Sequence, residues 1–368
     1  MKITAAVARQ GNPGFSLESL ELDEPHGDEI LVRIAGVGLC HTDLVFKAGA
    51  GGYPLPAVLG HEGSGIVERV GEGVTKVRQG DRVLITFRSC GKCDRCVEGH
   101  AAYCRTMPML NYAGVRTDGS KSLSGSGEAI AGNFFGQSSM ATYALTYERN
   151  VVKAPDDLPL ELMGPLCCGV QTGAGAVMRA LACKPGSSIL ILGGGSVGLS
   201  AVMGAKIQGC GAILLLEPHA ARRALALDLG ATHVIDPATT PDLKAAVRAV
   251  LPQGVDYAFD TTGIPSLLQT AVACLGSMGV LAMVGVPPPG TPMPGELIAA
   301  IALGLTVKGV VEGDSDPDVF IPELIEHYRA GRLPFDRFVK TFPLSAVNEA
   351  IEAQHRGDCV KVVLIPGS

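Results

Sequence analysis

Four cysteines stand close together in the pattern Cys-x2-Cys-x2-Cys-x7-Cys, and thiolates at such spacing are typical of metal sites. The alternatives are a pair of redox thiols and an iron–sulfur cluster held by the same ligands. The segment shows neither a second cluster nor a redox partner, which favours zinc. Because four protein ligands leave no open coordination position, the sequence predicts a structural zinc site made of Cys90, Cys93, Cys96 and Cys104.

Other residues that can bind metals are dispersed along the chain, as Cys40-His41-Thr42-Asp43, His61-Glu62 and Cys167-Cys168. A lone cysteine most often packs as a small apolar residue, and a lone histidine is usually structural, so none of these patterns is decisive alone. Together with a dinucleotide-binding fold, they indicate two cysteines and one histidine around zinc. Such a site keeps a fourth position open for a substrate oxygen.

A glycine-rich turn at residues 193–198 has the pattern G-x-G-x-x-G, between a strand-like apolar run and a helix-like segment. Gly193 allows the tight turn, Gly195 lets the backbone approach a pyrophosphate, and Gly198 lets the helix pack closely on the strand. The start of the helix, which includes Val197, offers N–H groups to phosphates. This context predicts a dinucleotide-binding site.

An acid, Glu217, stands 19 residues after this turn, at the end of the next predicted strand. It can accept hydrogen bonds from the adenosine ribose and would repel a 2′-phosphate, which favours NAD over NADP. Arg222 is a candidate cofactor contact. Its positive charge could instead bind the 2′-phosphate of NADP, as could His219 and Arg223. The alternative is a glycine turn in an ordinary α/β unit, but strand, helix and acid together favour the cofactor.

The composition excludes several classes of protein. The 368 residues suffice for two domains, and 47 % hydrophobic with 18 % charged residues excludes a disordered chain. A net charge of -6 argues against a nucleic-acid partner. Eleven cysteines and no apolar signal at residues 1–9 argue against a disulfide framework and predict a cytoplasmic protein. The uncharged stretch 187–205 contains five glycines in a strand–turn–helix pattern, so no membrane span is predicted.

Two kinds of element must position these residues. The first third reads as short strands separated by Gly and Pro, at residues 30–34, 63–70 and 82–87. Residues 107–136 are rich in Gly, Ser and Asn, which predicts a long surface loop or lobe.

The middle of the chain alternates strands with helices, which predicts an α/β fold with a doubly wound parallel sheet. Gly230 is expected to end one of the helices. The predicted strands are 189–192, 212–216, 234–236, 257–260, 280–284, 306–311 and 361–365, and the predicted helices include 196–208, 220–229 and 320–330.

Over essentially its whole length the sequence resembles the zinc-dependent medium-chain alcohol dehydrogenases, and within them the bacterial aryl (benzyl) alcohol dehydrogenases. The motifs follow each other in the family's order. They are Gly-Leu-Cys40-His41-Thr42-Asp43, Gly60-His61-Glu62-Gly, Gly-Lys-Cys93, Phe134-Phe-Gly-Gln-Ser-Ser, Tyr147-Glu-Arg-Asn, Gly169-Val-Gln-Thr-Gly-Ala-Gly and Gly309-Val-Val-Glu-Gly.

The resemblance implies that Cys40, His61 and Cys168 are the ligands of a catalytic zinc. Cys168 is chosen over its neighbour Cys167 because the family places this ligand directly before a glycine, here Gly169.

The resemblance also implies roles around that zinc. Asp43 would orient the liganding histidine, and Glu62 would lie close behind the metal, with a structural pairing to a nearby cation as its alternative role. Thr42 would take the proton from the alcohol. Val45 stands where many members have a relay histidine, so His41 is an alternative relay group or a pyrophosphate contact.

Further contacts follow from the same comparison. Thr172 resembles the threonine beside the nicotinamide, and Lys361 falls near the basic residue that meets the pyrophosphate. Phe87, Met109 and Leu110 are expected to line an apolar substrate pocket that suits aromatic or allylic alcohols. The alternative is that these three side chains only pack the cysteine-containing lobe.

As a whole, the resemblance implies a GroES-like β-rich catalytic domain at 1–170 and 312–368 and a Rossmann domain at 171–311. It implies two zinc ions per chain, NAD, oxidation of primary aromatic or allylic alcohols to aldehydes, and a homodimer or homotetramer associated through the edge strand 306–311. Other activities considered are dehydrogenation of terpene alcohols, polyols, threonine or thiol-adduct aldehydes, and a non-catalytic dinucleotide-binding zinc protein.

Overall fold

The computed structural model describes residues 1–125 and 127–367, and the side chain of residue 50 is not described. The chain divides into two structural units. The first unit comprises Met1–Cys168, Asp316–Glu323 and Asp336–Ser368, and the second comprises Gly169–Ser315 and Leu324–Phe335. Residues 324–335 therefore group with the second unit, whereas the sequence assigned them to the catalytic domain.

The strands are numbered in chain order. The first ten are β1 Lys2–Ala8, β2 Phe15–Leu22, β3 Glu29–Leu39, β4 Ala57–Val58, β5 Gly63–Val70, β6 Arg82–Ile85, β7 Leu123–Gly125, β8 Glu128–Ile130, β9 Tyr143–Tyr147 and β10 Val151–Lys153. The second unit contains β11 Ser188–Leu192, β12 Ala212–Leu216, β13 His233–Ile235, β14 Val255–Asp260, β15 Leu275–Met283 and β16 Thr306–Gly309. The last two are β17 Val339–Pro343 and β18 Lys361–Ile365.

The α-helices are numbered in the same way. They are α1 His41–Lys47, α2 Asp94–Val97, α3 Met107–Tyr112, α4 Gly169–Gly175, α5 Ser196–Ile207, α6 Ala220–Leu229, α7 Leu243–Val250, α8 Pro265–Cys274, α9 Leu297–Leu303, α10 Pro317–Arg329 and α11 Val347–His355.

Two sheets form the first unit within the described residues. One has the order β4-β1-β2-β7-β8, and the other has β10-β6-β5-β3-β18-β17 with β9 also paired to β3. Strands β1 and β3 are buried along most of their length and contribute to one large apolar core. Strand β18, far along the chain, lies between β3 and β17 and so completes the second sheet.

The second unit is a parallel sheet in the order β13-β12-β11-β14-β15-β16, as the alternating pattern predicts. All five residues of β11 are buried, as expected for a central strand covered on both faces. Local chemistry sets the helix ends: Asp242 accepts a hydrogen bond from the Ala245 N–H at the start of α7, and Gly230 ends α6 at φ 129°. The strand order reverses between β11 and β14, where such sheets bind ligands.

The described residues of 107–136, predicted as a long surface loop or lobe, do not form one long loop. This segment contains α3, β7 and β8, and it also contributes buried side chains. Asn111 is fully buried. Its polar amide is tolerated there because it donates to the carbonyls of Arg88 and Met107 and accepts from the Arg88 N–H. Phe134 is likewise fully buried.

Candidate functional site

The structure brings together one ligand atom from each of Cys40, His61, Glu62 and Cys168, all within 4.8 Å of one another. Cys40 directly follows β3, His61 and Glu62 directly precede β5, and Cys168 directly precedes α4. The neighbouring Cys167 is not a member of this group among the described residues. Its carbonyl instead accepts a hydrogen bond from the Thr86 hydroxyl at 2.8 Å, which fixes the approach to Cys168.

Asp43 holds the histidine of this cluster. Its Oδ1 lies 3.0 Å from His61 Nδ1 and 3.0 Å from the Gly60 N–H, while Oδ2 accepts from the Cys40 N–H at 2.9 Å. With its proton on Nδ1, the ring keeps the lone pair of Nε2 available to bind a metal. Nε2 is buried and has no hydrogen-bond partner in the part of the chain that the structure describes. A buried imidazole nitrogen beside two thiols fits a metal ion.

The Cys40 thiol is likewise suited to binding a metal ion. Its hydrogen bond with Cys168 lowers its pKa well below the usual range despite burial, and His61 adds to this effect. Burial lowers the pKa of His61, but Asp43 and Cys40 together outweigh this effect, so the pKa of His61 lies above its usual value. These groups favour the thiolate that a metal requires.

Glu62 pairs with Lys361, for which a pyrophosphate contact was expected; that contact stays a prediction. The Lys361 ammonium lies 2.7 Å from Glu62 Oε1 and 2.6 Å from Oε2, and it donates to the Leu39 carbonyl at 3.0 Å. Lys361 is only 1 % exposed, so its charge is enclosed by the protein. The structure thus shows Glu62 paired with a cation and also close to the other possible metal ligands, and its role near a metal stays a prediction. Burial raises the pKa of Glu62, although the Lys361 charge opposes this shift.

Sequence reasoning missed a second support of the histidine, in the segment 134–139. The Phe135 ring stacks on the His61 ring at a centroid distance of 4.4 Å. Gln137 donates to the His61 carbonyl at 2.9 Å and accepts from the Gly63 N–H at 3.1 Å. Phe135 has φ 51° and Ser138 has φ 53°, conformations that persist only where surrounding contacts hold them. The signal in the sequence that could have indicated this support was the motif Phe134-Phe-Gly-Gln-Ser-Ser, one of those on which the resemblance is based.

The residues predicted for proton transfer lie at the start of α1. Thr42 is half-buried, and its Oγ1 accepts from the Cys40 thiol at 3.6 Å. His41 is exposed, and Val45 is half-buried. The relay itself stays a prediction.

The four-cysteine group is also brought together, with its sulfur atoms within 4.8 Å of one another. The Cys93 N–H donates to Cys90 Sγ at 3.3 Å, and the Cys90 N–H donates to Cys104 Sγ at 3.2 Å. Burial raises the pKa of Cys90, but backbone N–H groups outweigh it and lower the pKa to about 6. Burial raises the pKa of Cys96 to about 12. Four convergent sulfurs fit a closed tetrahedral metal site.

The predicted dinucleotide turn lines a cavity of about 560 Å³ in the second unit. Glu217 is buried at its wall, where Oε2 accepts from the Gly194 N–H at 2.7 Å and Oε1 from the His219 N–H at 2.8 Å. Arg222 lines the same cavity, whereas Arg223 is paired with Asp236 at 2.7 Å. The cavity therefore presents an acid fixed by two backbone amides, as a ribose-binding group requires.

The last three predicted contacts lie in different surroundings. Phe87 is buried in the apolar core of the first unit, and Leu110 packs against the four-cysteine group. Met109 is 61 % exposed. Packing the lobe, the alternative considered for these side chains, describes Leu110, and the role of all three in a substrate pocket stays a prediction.

Comparisons with known proteins agree with this picture. Residues 26–156 match the family model of the alcohol dehydrogenase GroES-like domain, and residues 196–327 match that of zinc-binding dehydrogenases. Geraniol dehydrogenase of Castellaniella defragrans is 48 % identical over 362 residues, which cover 98 % of this chain and 97 % of the relative.

Two solved structures are similar over nearly their full lengths. An alcohol dehydrogenase zinc-binding domain protein from Burkholderia ambifaria shares 46 % identity with a TM-score of 0.96, covering 99 % of each chain. Benzyl alcohol dehydrogenase of Acinetobacter calcoaceticus shares 41 % identity with a TM-score of 0.96, covering 100 % of each chain.

The chain belongs to the zinc-dependent medium-chain alcohol dehydrogenases, with a GroES-like domain and a Rossmann domain. It is an oxidoreductase of a family that uses zinc and a nicotinamide cofactor, and its relatives act on small molecules. None of the described helices combines the length and the apolar character needed to cross a membrane.

Proposed function

We propose that this enzyme oxidises primary aromatic or allylic alcohols to aldehydes, reversibly, with hydride transfer to NAD. The observation that carries the proposal is the group of Cys40, His61 and Cys168, in which a buried imidazole nitrogen without a hydrogen-bond partner among the described residues lies beside two thiols. The names of the similar proteins, a geraniol dehydrogenase and a benzyl alcohol dehydrogenase, support the substrate class.

These three side chains would hold the catalytic zinc. When bound there, zinc supplies Lewis acidity that lowers the pKa of an alcohol, and NAD supplies the hydride acceptor. Asp43 keeps His61 in the tautomer that presents Nε2. The Thr42 Oγ1 takes the alcohol proton while its own hydroxyl proton passes on to a relay group, for which His41 is the candidate in this chain. The Phe135 ring covers one face of the histidine.

A second zinc would sit on Cys90, Cys93, Cys96 and Cys104, giving two ions per chain. Its role is structural, because four sulfur ligands satisfy the ion and leave no position for substrate. The preference for NAD rests on Glu217, whose carboxylate oxygens are held at the wall of the second unit's cavity.

We propose that the enzyme is a homodimer or homotetramer. Strand β16 lies at the edge of the parallel sheet, where a strand of another chain could add to the sheet. The helix before it, α9, exposes Leu297, Ile298 and Ile301 at 78 %, 70 % and 70 %. A second copy of this chain would cover both features.

The experiment is NADH formation at 340 nm with benzyl alcohol and geraniol, against ethanol, sorbitol and threonine, with NAD and NADP in parallel. Rapid turnover of benzyl alcohol or geraniol with NAD is expected. Turnover of only ethanol, sorbitol or threonine would contradict the substrate class, and equal rates with NADP would contradict the role of Glu217. A zinc-loaded protein that turns over no alcohol would favour the non-catalytic alternative.

A further inference from the structure

The turn after the last strand of the parallel sheet lies where the nicotinamide end of the cofactor should bind. In a doubly wound sheet, a dinucleotide crosses the carboxyl ends of the strands, and each half of the sheet takes one mononucleotide. Glu217 follows β12 and so identifies the half containing β11, β12 and β13 as the adenosine half. The other half ends with β16, and the residues after it, 310–315, lie at its carboxyl edge.

The backbone of this turn has three consecutive residues with positive φ angles. Glu312 has φ 48° and Asp314 has φ 54°, on either side of Gly313 at φ 69°. Residues other than glycine rarely adopt these positive φ values, and such backbone conformations cluster at functional sites. Glu312 is also 6 % exposed, so its carboxylate is removed from water.

The turn is docked tightly on α4. A Cβ atom at Gly175 would lie 2.7 Å from the Gly313 carbonyl oxygen, and one at Gly313 would lie 2.4 Å from the Gln171 carbonyl oxygen. The Ser315 hydroxyl donates to the Glu312 carbonyl at 2.8 Å. Such close backbone contact leaves little room for the turn to move relative to the helix.

The Glu312 carboxylate connects the turn to two side chains of α4. Its Oε2 accepts a hydrogen bond from Gln171 Nε2 at 3.0 Å and a longer one from the Thr172 hydroxyl at 3.5 Å. One acid therefore fixes the side chains of two consecutive helical residues.

We propose that Glu312 is a positioning residue for the nicotinamide end of the cofactor. It orients Gln171 and Thr172 and holds the turn 310–315, so that this end meets a preformed wall. A preformed wall strengthens binding because fewer groups must be ordered when the ligand arrives. The inference rests on the proposed use of NAD and adds a residue to it.

The test compares two ligands on the zinc-loaded full-length enzyme. NADH carries the nicotinamide end and ADP-ribose lacks it, so their dissociation constants separate the two ends of the site. We expect Glu312→Gln, which keeps the shape and one acceptor oxygen, to weaken NADH binding about threefold. Glu312→Ala should weaken it about tenfold or more. Both variants should bind ADP-ribose within about twofold of the unchanged enzyme, since the adenosine half is untouched.

The outcomes are distinguishable. Selective loss of NADH affinity in Glu312→Gln supports the inference even where Glu312→Ala fails to fold. Equal losses for both ligands, or unchanged NADH binding in Glu312→Gln, would overturn it, because a purely structural role moves both constants together. Failure of the unchanged enzyme to bind NADH would instead contradict the proposed cofactor, and with it this inference.

Discussion

The buried carboxylate of Asp43 is the hydrogen-bond acceptor for three neighbouring donors. It receives hydrogen bonds from the His61 ring and from the backbone N–H groups of Gly60 and Cys40. An ionised carboxylate can accept all three, whereas an amide has only one oxygen and would turn its NH₂ towards a donor. The orientation of the proposed zinc ligand therefore depends on the charge of one residue.

We expect Asp43→Asn to lose the catalytic zinc, because partners of metal-binding histidines typically contribute about 10- to 100-fold in metal affinity. Zinc measured per chain after dialysis against a weak chelator should fall from two to one, with turnover falling in parallel. Asp228→Asn, on the exposed face of α6, is the control and should keep both ions. Two retained zinc ions in Asp43→Asn would contradict the assignment.

Cys210 offers a second test at the residue scale, in the second unit. Its hydrogen bond with the buried Cys183 outweighs burial and lowers its pKa to about 7, with a further hydrogen bond to Ser187 at 3.7 Å. Because the thiolate is the reactive form, a lowered pKa makes alkylation possible at lower pH.

Alkylation of Cys210 by iodoacetamide, followed by mass spectrometry, should reach half its maximal rate near pH 7. An ordinary thiol reaches this point near pH 8.5. Cys183→Ala removes the hydrogen bond and should move the midpoint upwards. A midpoint near 8.5 in the unchanged protein would contradict the predicted shift.

The strand–turn–helix unit from β11 to α5 depends on two glycines for different reasons. A Cβ atom at Gly198 would lie 1.8 Å from the Gly193 carbonyl oxygen, so a larger residue must displace the backbone. At Gly195 no heavy atom lies within 4 Å of such a Cβ among the described residues. The first glycine serves packing, and the second leaves space for a ligand.

Gly198→Ala is expected to lower the free energy of unfolding by about 1–3 kcal/mol, as overpacking does. Gly195→Ala should leave stability nearly unchanged and instead weaken NADH binding, since the pyrophosphate needs that space. Thermal unfolding and NADH titration of both variants check this pair. Equal stability of the two variants would contradict the packing argument.

Element prediction succeeded where pattern and local chemistry agree. Strands β5, β12 and β18 and helix α6 have the predicted bounds, since short apolar runs between glycines and a helix ending at Gly230 are local signals. The buried side chains of the segment 107–136 were missed because their burial depends on distant partners, such as Arg88 for Asn111.

The same reason limits site prediction. Motifs located the two groups of metal-binding residues, whose convergence the structure shows. The ion pair of Lys361 with Glu62 joins residues 299 positions apart, and the hydrogen bonds of Glu312 to α4 span 140 or more. No periodicity in the sequence reports contacts over such separations.

At the scale of the whole molecule, the exposed apolar face of α9 beside the edge strand β16 predicts self-association. Ile301→Lys should place a charge in the shared surface and lower the mass measured by light scattering in solution. Val319→Lys, at a residue 63 % exposed on α10, is the matched control and should leave the mass unchanged. A monomeric unchanged protein would contradict the proposal.

The position of Lys361 also bears on the order in which the enzyme can mature during synthesis. Glu62 and Lys361 are made before and after the whole second unit, and β18 must enter the sheet between β3 and β17. A ribosome that has released only residues 1–168 therefore presents every proposed zinc ligand but lacks the lysine and the strand that complete their surroundings. Final assembly of the proposed catalytic centre therefore follows synthesis of the second unit, even though its ligands emerge early.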